Sequence, residues 1–125
     1  MSLTLRLIPG LYAVCRLPKD HSVPDLPKKG LLSITWTDDE LSIICLEESI
    51  PAGSRAYKGY RCLMLNGPFP AETVGVLESV LRPLAQAGVF IMAFSTFDTD
   101  YVLVPEIHLG QAMAALGECG IAVTL

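Results

Sequence analysis

Apolar residues recur at two spacings along this chain, and the spacing separates helices from strands. Val74, Leu77, Val80, Leu81 and Leu84 fall three or four apart, with Gly75, Glu78, Ser79 and Arg82 between them, which predicts an amphipathic helix. Pro70 suits its first turn, where a missing N–H costs nothing, and Gly88 suits its far end. Pro83 removes one backbone bond and should loosen the last turn. A second helix is expected from Pro105-Glu106 through about Cys119, with Ile107, Ala112, Met113 and Leu116 as its core stripe. Glu106 complements the dipole at its start, and Gly120 closes it.

Strands read as short apolar runs ended by turn residues. Tyr60–Leu65 is ended by Asn66-Gly67-Pro68. Val89–Phe94 is apolar on both faces, as a central strand would be. Tyr101–Val104 and Ile121–Leu125 complete the set. The order strand-helix-strand, strand-helix-strand predicts a four-stranded antiparallel sheet with both helices on one face, an α+β, ferredoxin-like βαββαβ unit. The first half is strand-rich: Leu3–Ile8, Leu11–Leu17, Leu31–Trp36 and Leu41–Leu46, with Pro9-Gly10 between the first two and Thr37-Asp38-Asp39-Glu40 as a hairpin turn. The three prolines Pro18, Pro24 and Pro27 leave room for one helical turn at most. The chain therefore divides into residues 1–57, a degenerate half, and 58–125, a complete unit.

Composition narrows the function classes. Hydrophobic residues make up 51% of 125, enough for a real core. A net charge of −4 with nine Lys and Arg, the longest basic cluster being Lys28-Lys29, argues against nucleic acid as a partner. No apolar run reaches the roughly 18–20 residues that span a bilayer, and the first residues lack the charged start and long apolar stretch of a signal peptide, so no membrane partner is expected. Cys15, Cys45, Cys62 and Cys119 lie in apolar stretches without a CxxC pair. They read as buried, reduced thiols of a cytoplasmic protein, not as zinc ligands. Asp38-Asp39-Glu40 and Glu47-Glu48 read as solvated, and no metal or cofactor is expected. No P-loop, GxSxG, HExxH or dinucleotide fingerprint is present, so the chain reads as a non-enzyme. His108 is expected to face solvent, His21 lies in the proline-rich loop, and Trp36 suits core or interface.

The polar knot Ser95-Thr96-Phe97-Asp98-Thr99-Asp100 between two apolar runs is a hairpin loop crowded with hydrogen-bonding groups. With Phe94 before it and Tyr101-Val102-Leu103-Val104-Pro105-Glu106 after, it resembles the loop and strand of ACT domains of the type found in CASTOR arginine sensors and bacterial stand-alone ACT proteins. Ser33–Cys45, followed by Glu47-Glu48-Ser49-Ile50-Pro51, resembles the degenerate first half of the same proteins. The resemblance implies a βαββαβ fold, side-by-side pairing of domains, and an amino acid or other small metabolite bound at the pairing surface.

In the arginine-sensor branch the ligand lies between the turn after the first strand and the Ser-Thr-Phe loop. The resemblance thus marks Asn66, Gly67 and Phe69, together with Ser95, Thr96, Phe97, Asp98 and Asp100, as ligand-binding. With one complete unit per chain, the second wall would come from another copy, so a homodimer is implied. The chemistry suits a zwitterion. Backbone N–H groups at a helix start suit a carboxylate, Gly67 permits close approach, and Gly67, Phe69 and Ala71 supply the N–H groups that Pro68 and Pro70 cannot. Asp98 or Asp100 suits an ammonium, and Phe97 an aliphatic stem or guanidinium. The plainer roles are turn formation for the aspartates and hydroxyls and core capping for Phe97. The two function classes that follow are a non-catalytic amino-acid sensor and a structural oligomerisation or partner-docking module.

Overall fold

A computed structural model describes residues 3–70 and 72–125; Ala71, expected as a donor, lies outside the described residues. The chain forms two compact units. One is Met1–Ile8 with Arg61–Leu125, the other Pro9–Tyr60. Two strands, β1 (Thr4–Leu17) and β4 (Arg55–Leu65), each run from one unit into the other.

The larger unit adds α1 (Val76–Gln86), β5 (Met92–Ser95), β6 (Asp100–Pro105), α2 (Leu109–Glu118) and β7 (Ala122–Thr124). This is the expected ferredoxin-like βαββαβ arrangement with one addition. The strand order is β7-β1-β4-β6-β5, so the start of β1 lies between β4 and β7, where four strands alone were expected. β1 pairs with β7 in parallel, Thr4 opposite Ala122 and Arg6 opposite Thr124. Nothing local in the sequence announces this pairing, because its partners stand at opposite ends of the chain.

The core of this unit explains the spacing of its apolar residues. Leu5 and Leu7, Leu63 and Leu65, and Val102 and Val104 alternate along their strands onto one face. Val80 and Leu84 of α1 and Ala112 and Leu116 of α2 close over that face. Each fully buried aliphatic side chain is worth about 1.5–3 kcal/mol of burial.

Several expectations shift. α1 begins at Val76, not near Pro70, because Pro70 opens a turn instead, Thr73 donating its N–H to the Pro70 carbonyl at 2.9 Å. Gly75 enters the helix at φ 86°, a conformation glycine adopts freely, and Val74 is 94% exposed. Pro83 stays inside the helix, buried, and the helix continues three residues beyond it. Ile107 is not core but 86% exposed: Glu106–His108 is a 3-10 turn, which changes the angular phase before α2 starts. β5 is an edge strand, not a central one, and is shorter than the apolar run that announced it. Its outward positions Ala93 and Ser95 are exposed, as is Phe90 just before it.

The smaller unit contains β2 (Ser33–Trp36) and β3 (Leu41–Leu46), ordered β2-β3-β1, and no α-helix among its residues. Pro9-Gly10 does not split β1. Gly10 takes φ 101°, and the strand runs on through it. Ala13, Cys15 and Leu17 pack with Leu41, Ile43 and Cys45, covered by Leu26, Leu32 and Ile50. Thr37 closes the β2–β3 turn, its hydroxyl accepting the N–H groups of Asp39 and Glu40 at 3.1 Å each. Trp36 is exposed rather than core, its indole N–H donating to the Lys19 carbonyl at 2.8 Å. Glu47 accepts the Gly59 N–H at 3.0 Å, and Glu48 lies 3.6 Å from Lys29.

Cys15, Cys45 and Cys62 are buried free thiols, but Cys119, the residue that caps the end of α2, is exposed. Burial pushes the Cys62 thiol up to about 12. Burial does the same to Cys45, assisted by the neighbouring Cys15. His108 is half-buried rather than solvent-facing, and its Nδ1 is enclosed without a hydrogen-bond partner among the described residues. No described helix is long and apolar enough to cross a membrane.

Candidate functional site

Within the larger unit, two segments about thirty residues apart in sequence converge. The first is the corner after β4, the second the β5–β6 hairpin. Ser95 and Asp100 are the last paired residues of that hairpin, and the Ser95 hydroxyl donates to the Asp100 carboxylate. Thr96 and Thr99 build the loop between them. The Thr96 N–H donates to the Thr99 carbonyl at 2.8 Å, and its hydroxyl accepts the Thr99 N–H at 3.4 Å. Thr96 thus plays the turn-forming role. Phe97 and Asp98 are left at the tip.

Two hydrogen bonds moor this tip to the corner. Phe69 donates its N–H to the Asp98 carbonyl at 3.1 Å, and the buried Thr99 hydroxyl donates to the Leu65 carbonyl at 2.7 Å. Gly67 makes the approach possible. A Cβ there would stand 3.0 Å from the Phe69 nitrogen, 3.1 Å from its ring and 3.3 Å from the Asp98 oxygen.

A cleft of about 710 Å³ opens between this loop and the start of α1, within the range usual for small-molecule sites. Of the residues marked for ligand binding, Phe69, Ser95, Thr96, Phe97, Asp98 and Asp100 line it. Asn66 and Gly67 do not. Asn66 is turned to β1, donating its side-chain amide to the Thr4 hydroxyl at 2.8 Å, and Gly67 shapes the corner from behind. The Phe69 N–H, expected to serve a ligand, is already spent on Asp98.

The donors come from elsewhere. Gly75, Val76, Leu77 and Glu78 line the cleft, and α1 carries no side-chain cap at its start. Its first N–H groups therefore lack an intrahelical partner and sit at the positive end of the helix dipole. The sequence signal for them was Gly75, just inside the apolar spacing that starts at Val74, which reads as a helix entry once Pro70 is placed in a turn.

The charge of the cleft is negative. Glu78, Asp98 and Asp100 line it, with no Lys, Arg or His among the described lining residues. Glu78 is paired with Arg82 one turn along, whose Nε lies at 2.5 Å. Asp98 is exposed, and its carboxylate has no partner among the described residues. Phe97 does not cap the core; it is 100% exposed at the cleft edge. The cleft thus offers carboxylates to a cation, uncapped N–H groups to an anion, and an aromatic ring at its edge. Among the described residues no group of His, Cys, Asp or Glu is placed to hold a metal ion.

The family model for the ACT domain matches residues 55–118, so the chain belongs to the ACT domain family. A second family model, described as an N-terminal domain, matches residues 10–53. A crystal structure of a protein from Agobacterium tumefaciens is similar at 36% identity, covering 100% of this chain and 94% of that one, with a TM-score of 0.92. A protein of unknown function from Vibrio cholerae, described as a possible transport protein, is 21% identical over 94% of this chain and 89% of its own, with a TM-score of 0.75. The regulatory subunit of aspartate kinase from Thermus flavus shares the fold at 13% identity, 94% and 96% coverage and a TM-score of 0.55. No curated protein matches the chain.

Proposed function

We propose that this chain is a non-catalytic regulatory protein that binds a free amino acid in the cleft between the hairpin tip and the start of α1. The observation that carries the reading is the sharing of one cleft by the Asp98 and Asp100 carboxylates and the uncapped N–H groups of Val76, Leu77 and Glu78. A zwitterion needs both. Its carboxylate suits the helix start, its ammonium suits the aspartates, and its side chain lies along Phe97. Among proteins of similar fold are regulatory subunits of aspartate kinase and an aspartokinase in complex with aspartate and ADP, which favours regulation by an amino acid.

In this reading the chain is a cytoplasmic, stand-alone relative of the CASTOR arginine-sensor ACT domains. Fully exposed Phe97 and nearly fully exposed Val74 flank the cleft, and a second copy in a homodimer covers them. Residues 1–57 form the degenerate half and 58–125 the complete one.

A thermal-shift screen of the common amino acids tests the proposal. A ligand that binds only the folded chain adds about 2.7 kcal/mol at a concentration roughly one hundred times Kd, a rise of several degrees. A flat response to all of them at millimolar concentration contradicts it.

One observation favours a second reading, a structural docking module: β5 is an edge strand with exposed Phe90 beside it. An Asp100→Ala variant separates the two. A sensor loses its ligand response while staying dimeric; a scaffold has no response to lose.

A further inference from the structure

The smaller unit carries a cleft of its own. Ala13, Cys15 and Leu17 of β1 face the core, so the alternation of the strand sends Val14 and Arg16 to the opposite face. Ser42 of β3 is registered directly across from Arg16 on that face. There Val14, Arg16, Glu40, Ser42, Arg55 and Tyr57 surround a space of about 380 Å³. All six belong to the same unit.

The charge of this cleft runs against that of the chain. The protein carries a net −4, yet two guanidinium groups here face one carboxylate. Neither arginine is in an ion pair among the described residues, where the pairs are Lys29–Glu48 and Arg82–Glu78. Arg16 donates one Nη2–H to the Asp39 carbonyl at 3.0 Å, which holds its head at the hairpin end and leaves its other N–H groups available; a guanidinium has five. The Arg55 guanidinium donates to no described residue. Two like charges around one cleft repel, and Glu40 offsets only one of them.

A bound oxyanion removes that imbalance. The guanidinium fork matches the oxygens of a carboxylate or a phosphate and binds them in pairs. The Ser42 hydroxyl adds a donor beside Arg16. Tyr57, 69% exposed, presents a ring as a wall for an apolar portion of the ligand.

We infer that this cleft is a second binding site, for a small molecule bearing a carboxylate or phosphate group held between Arg16 and Arg55. It shares no residue with the amino-acid cleft, so either site can fail without the other.

The test is a backbone-amide NMR titration of the full chain with inorganic phosphate and, separately, with succinate, at ionic strength held constant by sodium chloride. The expected result is a saturable shift at Ser42, Arg55, Ala56 and Tyr57 with at least one of the two. Saturation by phosphate alone or succinate alone identifies which oxyanion the cleft prefers. Arg55→Gln, which removes no described contact, should weaken the saturating anion about tenfold or more, the worth of a charge-assisted bond. Arg16→Gln should do the same, and Arg82→Gln, in the other unit, should leave binding unchanged. Shifts that sodium chloride reproduces, an absence of saturation with both anions, or binding that survives Arg55→Gln overturns the inference. Unchanged amide positions elsewhere in the Arg55→Gln spectrum confirm that the variant is folded.

Discussion

The backbone N–H of Phe69 donates to the carbonyl oxygen of Asp98 at 3.1 Å, joining the corner after β4 to the tip of the β5–β6 hairpin. The bond ties down the Asp98 backbone, and the Asp98 side chain is exposed. It also explains why Gly67 stands where it does, since any side chain there would push Phe69 and Asp98 apart.

Gly67→Ala should therefore weaken ligand binding more than it weakens the fold. The added methyl meets backbone nitrogen and oxygen, which cannot swing aside as a flexible side chain can. Loss of the corner bond is expected to cost about 1 kcal/mol of stability, read as a lower urea midpoint. The amino-acid response in a melting experiment should fall further than that loss alone accounts for.

Thr99→Val keeps the shape of the side chain and removes its hydroxyl. The buried Leu65 carbonyl then loses its 2.7 Å donor, at an expected cost of about 1–3 kcal/mol. Chemical denaturation measures it. Thr99→Ser, which retains the donor, should recover most of the loss.

Asp98→Asn should leave the stability within about 0.5 kcal/mol, as for an exposed side chain without partners. It should reduce amino-acid affinity about tenfold or more by removing the charge that faces the ammonium. Isothermal titration reads both the affinity and its loss.

How much of this was legible depended on whether the signal was local. The hairpin was visible because polar residues crowd between apolar runs, and the core of α1 was visible because Leu77, Val80, Leu81 and Leu84 keep one face inward. The start of α1 was missed because Pro70, permissible in a helix, is used in a turn. Ile107 was misplaced because a 3-10 turn advances each residue by a larger angle than an α-helix does. Val89–Phe94 looked central because apolarity does not say which edge of a sheet a strand occupies. The joining of Thr4–Arg6 to Ala122–Thr124 left no local trace at all. Of the cleft, the acidic wall could be read from the sequence; the donor wall could not, because it depends on where the helix starts.

The cysteines should sort by burial. Cys119 is exposed and should react with a thiol reagent in the folded protein, while Cys15, Cys45 and Cys62 should react only after unfolding. Cys45 and Cys62 are raised from an ordinary value near 9 to about 12. Above pH 9 the unfolded chain loses protons that the folded chain keeps, so stability present below pH 9 should fall as the pH rises toward about 12. Denaturation midpoints across that range check the sign, and Cys62→Ala should make the decline shallower.

The most direct test of the central claim is a crystal structure grown with whichever amino acid raises the melting temperature most. The account predicts the ligand carboxylate on the N–H groups of Val76 to Glu78, its ammonium against Asp98 and Asp100, and a second copy over Phe97. An amino acid seated outside this cleft, or a cleft left empty beside a ligand bound elsewhere, would contradict it.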